Sequence, residues 1–239
     1  MMKLGILNAI SPGSSAVDWG GTPFDTYRRF FESVNAPFTY AGYRAAQGQF
    51  PASPEKCDAY VITGSPRGVY DTDLWIGLLS QFMRDSYNEG IKLVGICFGH
   101  QILAHALGGC AEKSGKGRGF GLKSFDISRS KAWMNCKADY CSLYFAHQDQ
   151  VVKLPPGAEL LGGNSFCPVA FYEIDNQVLG IQGHPEFSVS IMRDLLPVFK
   201  KELTPSVYEE SVRSLENGSP DNLLVAQWIV NFILQPGSL

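Results

Sequence analysis

The chain has no basic cluster, no paired-cysteine motif and no long hydrophobic run in its 239 residues. Its formal net charge is −3, from 20 basic and 23 acidic residues, so no nucleic-acid-binding surface is indicated. The first apolar stretch, residues 4–7, is too short for the core of a signal peptide, and no stretch is long enough to span a bilayer. These absences predict a soluble, cytoplasmic protein that engages neither membranes nor nucleic acid.

Six scattered cysteines lack the CxxC spacing that is typical of zinc sites and redox motifs. Without a secretory signal, they are expected to be reduced thiols rather than disulfides or metal ligands: Cys57, Cys97, Cys110, Cys136, Cys141 and Cys167. The sequence also has no GxxxxGK[ST] phosphate-binding loop. We therefore expect neither a metal nor a cofactor.

Strands and helices alternate in the first half of the chain. Hydrophobic patterns predict strands near 3–8, 37–41, 58–63 and 91–96, and helices near 23–35 and 73–88. Thr22 and Pro23 are typical of an N-cap and a first-turn proline. Such alternation favours a mostly parallel sheet with helices on both faces, which is a three-layer α/β fold.

The second half begins with short strands rather than with alternating elements. They are predicted near 120–128, 141–146, 168–174 and 177–182, and Asp175-Asn176 joins the last two as a hairpin. We expect them to form a smaller antiparallel sheet. Helices follow at 187–202, 206–216 and 221–234. The length suits one domain over residues 1–239, with a core of about 3–200 and a helical extension of about 203–235.

The last predicted helix is apolar on nearly every side from Leu223 onward, although Gln227 and Asn231 lie one turn apart on it. A helix of this composition is buried, either against its own domain or against a partner subunit. A homodimer is therefore one of the two expectations.

The segment 95–101, GICFGHQ, has the form of a strand, a sharp turn and a helix, with Cys97 at the corner. Glycines on both sides allow a backbone angle that bulky side chains forbid. The first amides of the helix and its dipole favour an anion, and hence a thiolate. We predict that Cys97 is a nucleophile.

His184 and Glu186 are the best candidates for the base and its partner. They follow an apolar strand and flank Pro185, which favours an extended chain in which residues two apart share a side. A carboxylate on one imidazole nitrogen leaves the other nitrogen to accept the thiol proton. His100 and His105, on the helix after Cys97, are interpreted as packing or surface histidines.

The turn 63–66, Thr-Gly-Ser-Pro, ends another short apolar strand. Acyl transfer builds negative charge on a carbonyl oxygen, and preorganised amides lower that barrier. The backbone amides of Ser65 and Phe98 are the predicted oxyanion donors.

Together, the turn 63–66, the corner 95–101 and the segment 183–186, GHPE, resemble the class I (triad-type) glutamine amidotransferases, and most of all the stand-alone GMP synthase-like members. The resemblance covers roughly residues 3–200 and implies a flavodoxin-like fold. It also implies that Gly64, Gln101, Phe120, His147 and Asp149 border the substrate. Many relatives have Gly-Gly-Pro where this chain has Gly64-Ser65-Pro66, so Ser65 narrows the space above the site.

The resemblance implies hydrolysis of a γ-carboxamide, of glutamine or of another γ-glutamyl small molecule, through a thioester on Cys97. Because no nucleotide-activating domain is present, either a separate synthase receives the ammonia or the protein is a free-standing hydrolase. Two alternatives stay open: a peptidase or chaperone-like hydrolase of the same superfold, and a non-catalytic regulatory relative. Most of those hydrolases lack a His-Pro-Glu segment, and a regulatory relative is expected to lose the triad.

A Gly- and Ser-rich segment, residues 11–21, follows the first strand and carries Trp19. It leaves the sheet at the same carboxyl edge as Cys97, so it either borders the site and limits what is attached to the γ-glutamyl group, or is a solvated connector.

Overall fold

The parallel half of the sheet forms mostly from the alternating first part of the chain.

The computed structural model describes residues 1–13, 17 and 19–236. Across these residues the strands are β1 Met2–Leu7, β2 Phe38–Tyr43, β3 Ala59–Ile62, β4 Lys92–Ile96, β5 Cys110–Lys113, β6 Gly119–Ile127, β7 Tyr140–His147, β8 Asp149–Lys153, β9 Ala158–Gly163, β10 Phe171–Ile174 and β11 Val178–Ile181. The α-helices are α1 Pro23–Glu32, α2 Leu74–Asn88, α3 Phe98–Ala106, α4 Val189–Phe199, α5 Pro205–Asn217 and α6 Asn222–Leu234.

The strand order confirms the predicted fold class. In the described part of the chain, nine strands form one sheet in the order β2-β1-β3-β4-β11-β10-β9-β6-β7. The pairs from β2 to β11 are parallel, and those from β11 to β7 are antiparallel. Most of the antiparallel strands therefore extend the main sheet, and the small second sheet pairs β5 with β8.

Three strands are absent from the sequence-based prediction. β5, β8 and β9 are each four to six residues long and half-exposed, with charged or glycine residues among the apolar ones. Short runs of this kind carry little periodicity, so pairing with a neighbouring strand decides their structure.

Apolar cores lie on both faces of the sheet. α1 and α6 cover one face, and α2 and α3 cover the other. Trp228 of α6 is fully buried, with its ring 6.2 Å from that of Phe171 and 6.4 Å from that of Trp133. The apolar final helix therefore packs against its own chain, which is the first of the two expectations.

None of the helices in the described ranges has the length and apolarity needed to cross a membrane. The longest of them, α2, has 15 residues.

Candidate active site

Cys97 lies at the junction of β4 and α3 with φ 55° and ψ −105°. A non-glycine residue rarely takes a positive φ, and such strain is maintained only where the surroundings enforce it. Here α3 approaches two strands closely: a Cβ on Gly99 would lie 2.3 Å from the carbonyl oxygen of Ile62 at the end of β3, and one on Gly95 of β4 would lie 2.3 Å from Gly99. The two glycines therefore permit the corner that holds the thiol.

His184 and Glu186 lie beside this corner, immediately after β11. The His184 amide donates to the Tyr144 carbonyl at 2.8 Å, which fixes the backbone. The His184 Nδ1 lies 2.8 Å from Glu186 Oε1, and Cys97 interacts electrostatically with the same imidazole. Phe187 stacks on the imidazole at 3.9 Å between ring centroids. The arrangement is a connected Cys–His–Glu chain.

The charge balance around His184 favours its protonated form. Burial by itself would lower the pKa of His184, but the neighbouring Cys97 and Glu186 groups outweigh it and raise that pKa to about 10. His184 is 5% exposed and Glu186 is 8% exposed, so their attraction acts in a region of low dielectric. The site therefore favours an imidazolium that pairs with an anionic neighbour.

The turn after β3 contacts the triad directly. A Cβ on Gly64 would lie 2.9 Å from His184 Cε1 and 3.7 Å from the Cys97 Cβ. Thr63 fixes the turn, because its hydroxyl accepts from the Ala9 amide and donates to the Gly64 carbonyl. The Gly64 amide donates to another group, the Tyr27 hydroxyl at 3.3 Å. The assignment of the Ser65 amide as an oxyanion donor stays a prediction.

Tyr27 is a site residue that the sequence reasoning missed. Its hydroxyl donates to Glu186 Oε1 at 2.9 Å, although the two residues are 159 positions apart. In the sequence it is one of several aromatic residues on the buried face of α1. No local motif distinguishes it from a core residue.

Cys97 opens onto a cavity of about 410 Å³, within the range of about 300–1,000 Å³ that is typical of small-molecule sites. Its wall includes eight predicted site residues: Gly64, Ser65, Cys97, Gln101, His147, Asp149, His184 and Glu186. The cavity is also lined by apolar residues, namely Val17, Trp19, Leu195, Val198 and Phe199, and by charged residues such as Arg118 and Glu202. Residues 14–16 and 18 of the Gly- and Ser-rich segment lie outside the described residues.

Phe120 is the exception among the predicted substrate residues. It is fully buried and lies 5.9 Å, ring to ring, from Phe199, and it is not among the described residues that line the cavity. Arg118, two residues earlier, lines the cavity in its place and lies over the same Phe199 ring. Phe199 lies beside the buried Phe120 ring, and the predicted place of Phe120 at the substrate stays a prediction. Phe98, whose predicted role is that of its amide, packs its ring against Trp75.

Gln101, His147 and Asp149 meet on one side of the cavity. Gln101 Nε2 donates to the Asp149 carbonyl at 2.7 Å, and His147 Nδ1 lies 2.9 Å from the same oxygen. Burial lowers the pKa of His147 to about 3, so the ring is neutral. Burial also raises the pKa of Asp149, which a hydrogen bond from Tyr70 partly offsets. In the described ranges, no group of three or more His, Cys, Asp or Glu residues is placed to hold a metal.

Comparison with known proteins gives concordant results. The family model for glutamine amidotransferase class-I matches residues 24–200. The chain is 30% identical to gamma-glutamyl peptidase 3 of Arabidopsis thaliana over 223 residues, which are 87% of this chain and 90% of that protein. It is 33% identical to GMP synthase [glutamine-hydrolyzing] of Neisseria meningitidis serogroup B over 130 residues, which are 53% of this chain and 24% of that protein.

Solved structures share the fold. A glutamine amido transferase from Methylobacillus flagellatus superposes with a TM-score of 0.75 at 20% identity, covering 98% of this chain and 93% of that one. A glutamine amidotransferase from Thermotoga maritima gives a TM-score of 0.75 at 16% identity, covering 98% and 99%.

Proposed function

Since this chain belongs to the class-I glutamine amidotransferase family, we propose that it cleaves the γ-amide bond of glutamine or of a γ-glutamyl compound through a thioester on Cys97. The observation that carries this proposal is that Cys97, His184 and Glu186 line the same cavity, with His184 Nδ1 2.8 Å from Glu186 Oε1 and Cys97 interacting with the same imidazole. The intact triad also argues against a non-catalytic relative.

In the first half of the reaction, the Cys97 thiolate attacks the γ-carbonyl carbon, and the carbonyl oxygen becomes an oxyanion. The amides of Ser65 and Phe98 stabilise that charge. The His184 imidazolium donates its proton to the departing nitrogen, the C–N bond breaks, and a γ-glutamyl thioester remains on Cys97.

In the second half, neutral His184 takes a proton from water, whose oxygen attacks the thioester carbon. The C–S bond breaks, glutamate leaves, and the thiolate faces the imidazolium again. Glu186 holds the imidazole in one tautomer throughout.

Two relatives bear on the identity of the leaving group, and this chain matches different shares of their lengths. The match to a protein named gamma-glutamyl peptidase extends over 90% of that relative, whereas the match to GMP synthase extends over 24% of it. Apolar residues of the same cavity, among them Trp19, Leu195 and Phe199, offer contacts for a substituent on the scissile nitrogen. We therefore favour a free-standing γ-glutamyl peptide hydrolase over an ammonia supplier for a separate synthase.

The test incubates purified protein with glutamine and with a panel of γ-glutamyl dipeptides, and it measures glutamate, ammonia and free amino acid. Amino-acid release exceeding ammonia release supports the hydrolase. If glutamine is the only substrate that is cleaved, the release of ammonia supports delivery to a synthase. No release from any substrate, with an alkylation-competent Cys97, contradicts the proposed function.

A further inference from the structure

We propose that Tyr27 is a positioning residue of this catalytic apparatus, which holds Glu186 against His184 and links it to the oxyanion turn. The inference rests on the proposed function, because it assigns a role within the same reaction. Tyr27 comes from α1, an element that carries no triad member and no oxyanion donor.

One oxygen of Glu186 receives two hydrogen bonds. Oε1 accepts from the Tyr27 hydroxyl at 2.9 Å and lies 2.8 Å from His184 Nδ1. In the described structure, Oε2 has no hydrogen-bond partner. A buried carboxylate requires donors, and the two donors on Oε1 hold that oxygen beside the imidazole.

The direction of each hydrogen bond around Tyr27 is determined. The Gly64 amide can only donate, and it points at the Tyr27 oxygen from 3.3 Å. The single hydroxyl proton therefore goes to Glu186. Burial and the adjacent Glu186 raise the pKa of Tyr27 well above its ordinary value, so the hydroxyl remains a donor at working pH.

The helix holds this hydroxyl rigidly. Thr22 and Asp25 form a capping box at the start of α1, and Pro23 occupies its first turn. Tyr27 lies one turn further along and is 3% exposed. Hydrogen bonds thus connect Gly64, Tyr27, Glu186 and His184 in that order. This chain begins at the oxyanion turn and ends at the imidazole that interacts with the nucleophile, Cys97.

The experiment compares Tyr27→Phe with the wild type on the best γ-glutamyl substrate. We expect kcat to fall by about 10- to 100-fold with little change in KM, as is common for outer partners of catalytic groups. Tyr60→Phe is the control, because Tyr60 is equally buried and its hydroxyl donates to the Pro54 carbonyl away from the cavity. That variant is expected to keep wild-type kcat.

A double-mutant cycle separates positioning from general packing. Glu186→Gln misorients the base, so adding Tyr27→Phe to it should change kcat by less than about twofold. If Tyr27→Phe lowers kcat equally in both backgrounds, or leaves kcat unchanged in the wild-type background, the positioning role is wrong. Thermal unfolding of each variant shows whether the fold is retained.

A measurement without substrate keeps this inference separate from the proposed function. The charged or titratable groups that face His184 and Glu186 are Tyr27 from α1, Cys97 from the start of α3 and His147 from the end of β7. We expect the rate of Cys97 alkylation by iodoacetamide to reach half its maximum at a higher pH in Tyr27→Phe, because a misoriented Glu186 supports the imidazolium less well. An unchanged profile overturns the role of Tyr27, whether or not the wild type hydrolyses γ-glutamyl compounds.

Discussion

At the scale of single residues, the main feature is that one thiol, that of Cys97, is largely buried and yet lines the cavity. Cys97 is 5% exposed, while Cys57, Cys141 and Cys167 are buried away from solvent. Burial raises the pKa of Cys167 to about 12 and that of Cys141 further still. The accessible competitors for a thiol reagent are Cys136, which is exposed, and Cys110, which is partly exposed.

We therefore predict that iodoacetamide alkylates Cys97 before Cys136, because the imidazolium and the start of α3 stabilise a thiolate at Cys97. Mass spectrometry of timed samples measures the order. Cys97→Ala should lower kcat by about 10⁴-fold, whereas Cys136→Ala should keep it. Near-normal turnover by Cys97→Ala would remove the nucleophile from the mechanism.

The backbone at Cys97 leads to a second prediction at this scale. Alanine retains a Cβ at the strained φ of 55°, and glycine does not. Cys97→Gly should therefore be more stable than Cys97→Ala by about 1–3 kcal/mol, contrary to the usual cost of glycine. Urea unfolding of both variants measures the difference, and a less stable glycine variant would show that the corner is not strained.

At the scale of elements, the start of α3 lies in close backbone contact with the end of β3. Gly99→Ala would bring a Cβ to 2.3 Å from the Ile62 carbonyl oxygen, so α3 has to move. We expect a loss of about 1–3 kcal/mol in the free energy of unfolding, together with lower activity. Gly77 of α2 is the matched control, because no atom outside its own helix lies within 4 Å of the added Cβ.

Gly77→Ala should instead stabilise the protein by about 0.5–1 kcal/mol, since alanine favours helices. Chemical denaturation of both variants, with activity assays, tests the pair. Similar effects of the two substitutions would contradict the close-contact explanation.

The segment after β1 is the other element that bears on the site. Trp19 lines the cavity, and its ring lies 5.6 Å from that of Phe187, which stacks on His184. Trp19→Ala should change kcat/KM for γ-glutamyl dipeptides more than for glutamine, because glutamine has no substituent on the nitrogen of its side-chain carboxamide. Tyr140→Ala, which changes an exposed aromatic residue outside the cavity wall, is the control. Equal effects on both substrates would favour the connector interpretation.

At the scale of the whole molecule, two buried neutral histidines predict sensitivity to acid. Burial lowers the pKa of His100 to about 3 and that of His147 to about 3, from 6.5. Between about pH 3 and pH 6.5 the unfolded chain binds more protons than the folded one, so the free energy of unfolding falls as the pH falls. Each histidine should contribute a slope of about 1.4 kcal/mol per pH unit. His184, whose pKa is raised to about 10, is protonated in both states below pH 6.5 and adds no slope there.

His147→Asn tests this assignment, because asparagine can replace the Nδ1 donor to the Asp149 carbonyl without binding a proton. Urea unfolding between pH 4 and pH 6 should show a slope lower by about 1.4 kcal/mol per pH unit than that of the wild type. His105→Asn is the control, because His105 is exposed. An unchanged slope in His147→Asn would contradict the buried, neutral state.

The sequence by itself determined the parts that depend on local signals. Alternating hydrophobic runs predicted the parallel strands, and the capping pair Thr22 and Pro23 predicted the start of α1 at the residue where it begins. The glycines around Cys97 predicted a sharp corner. The i, i+2 spacing of His184 and Glu186 predicted a contacting pair, and the structure has that contact. The predicted extended conformation is wrong, because Pro185 and Glu186 form a turn that the Phe187 amide closes on the His184 carbonyl.

The tertiary structure decided what depends on residues distant in the chain. Pairing with neighbours made strands of β5, β8 and β9 and joined the antiparallel strands to the main sheet. Packing between elements placed Phe199 beside the buried Phe120 ring. The contact of Tyr27 with Glu186 spans 159 positions and needs the position of α1 on the sheet. Local patterns record the conformation of a segment, whereas the partners of its side chains are set by packing between elements.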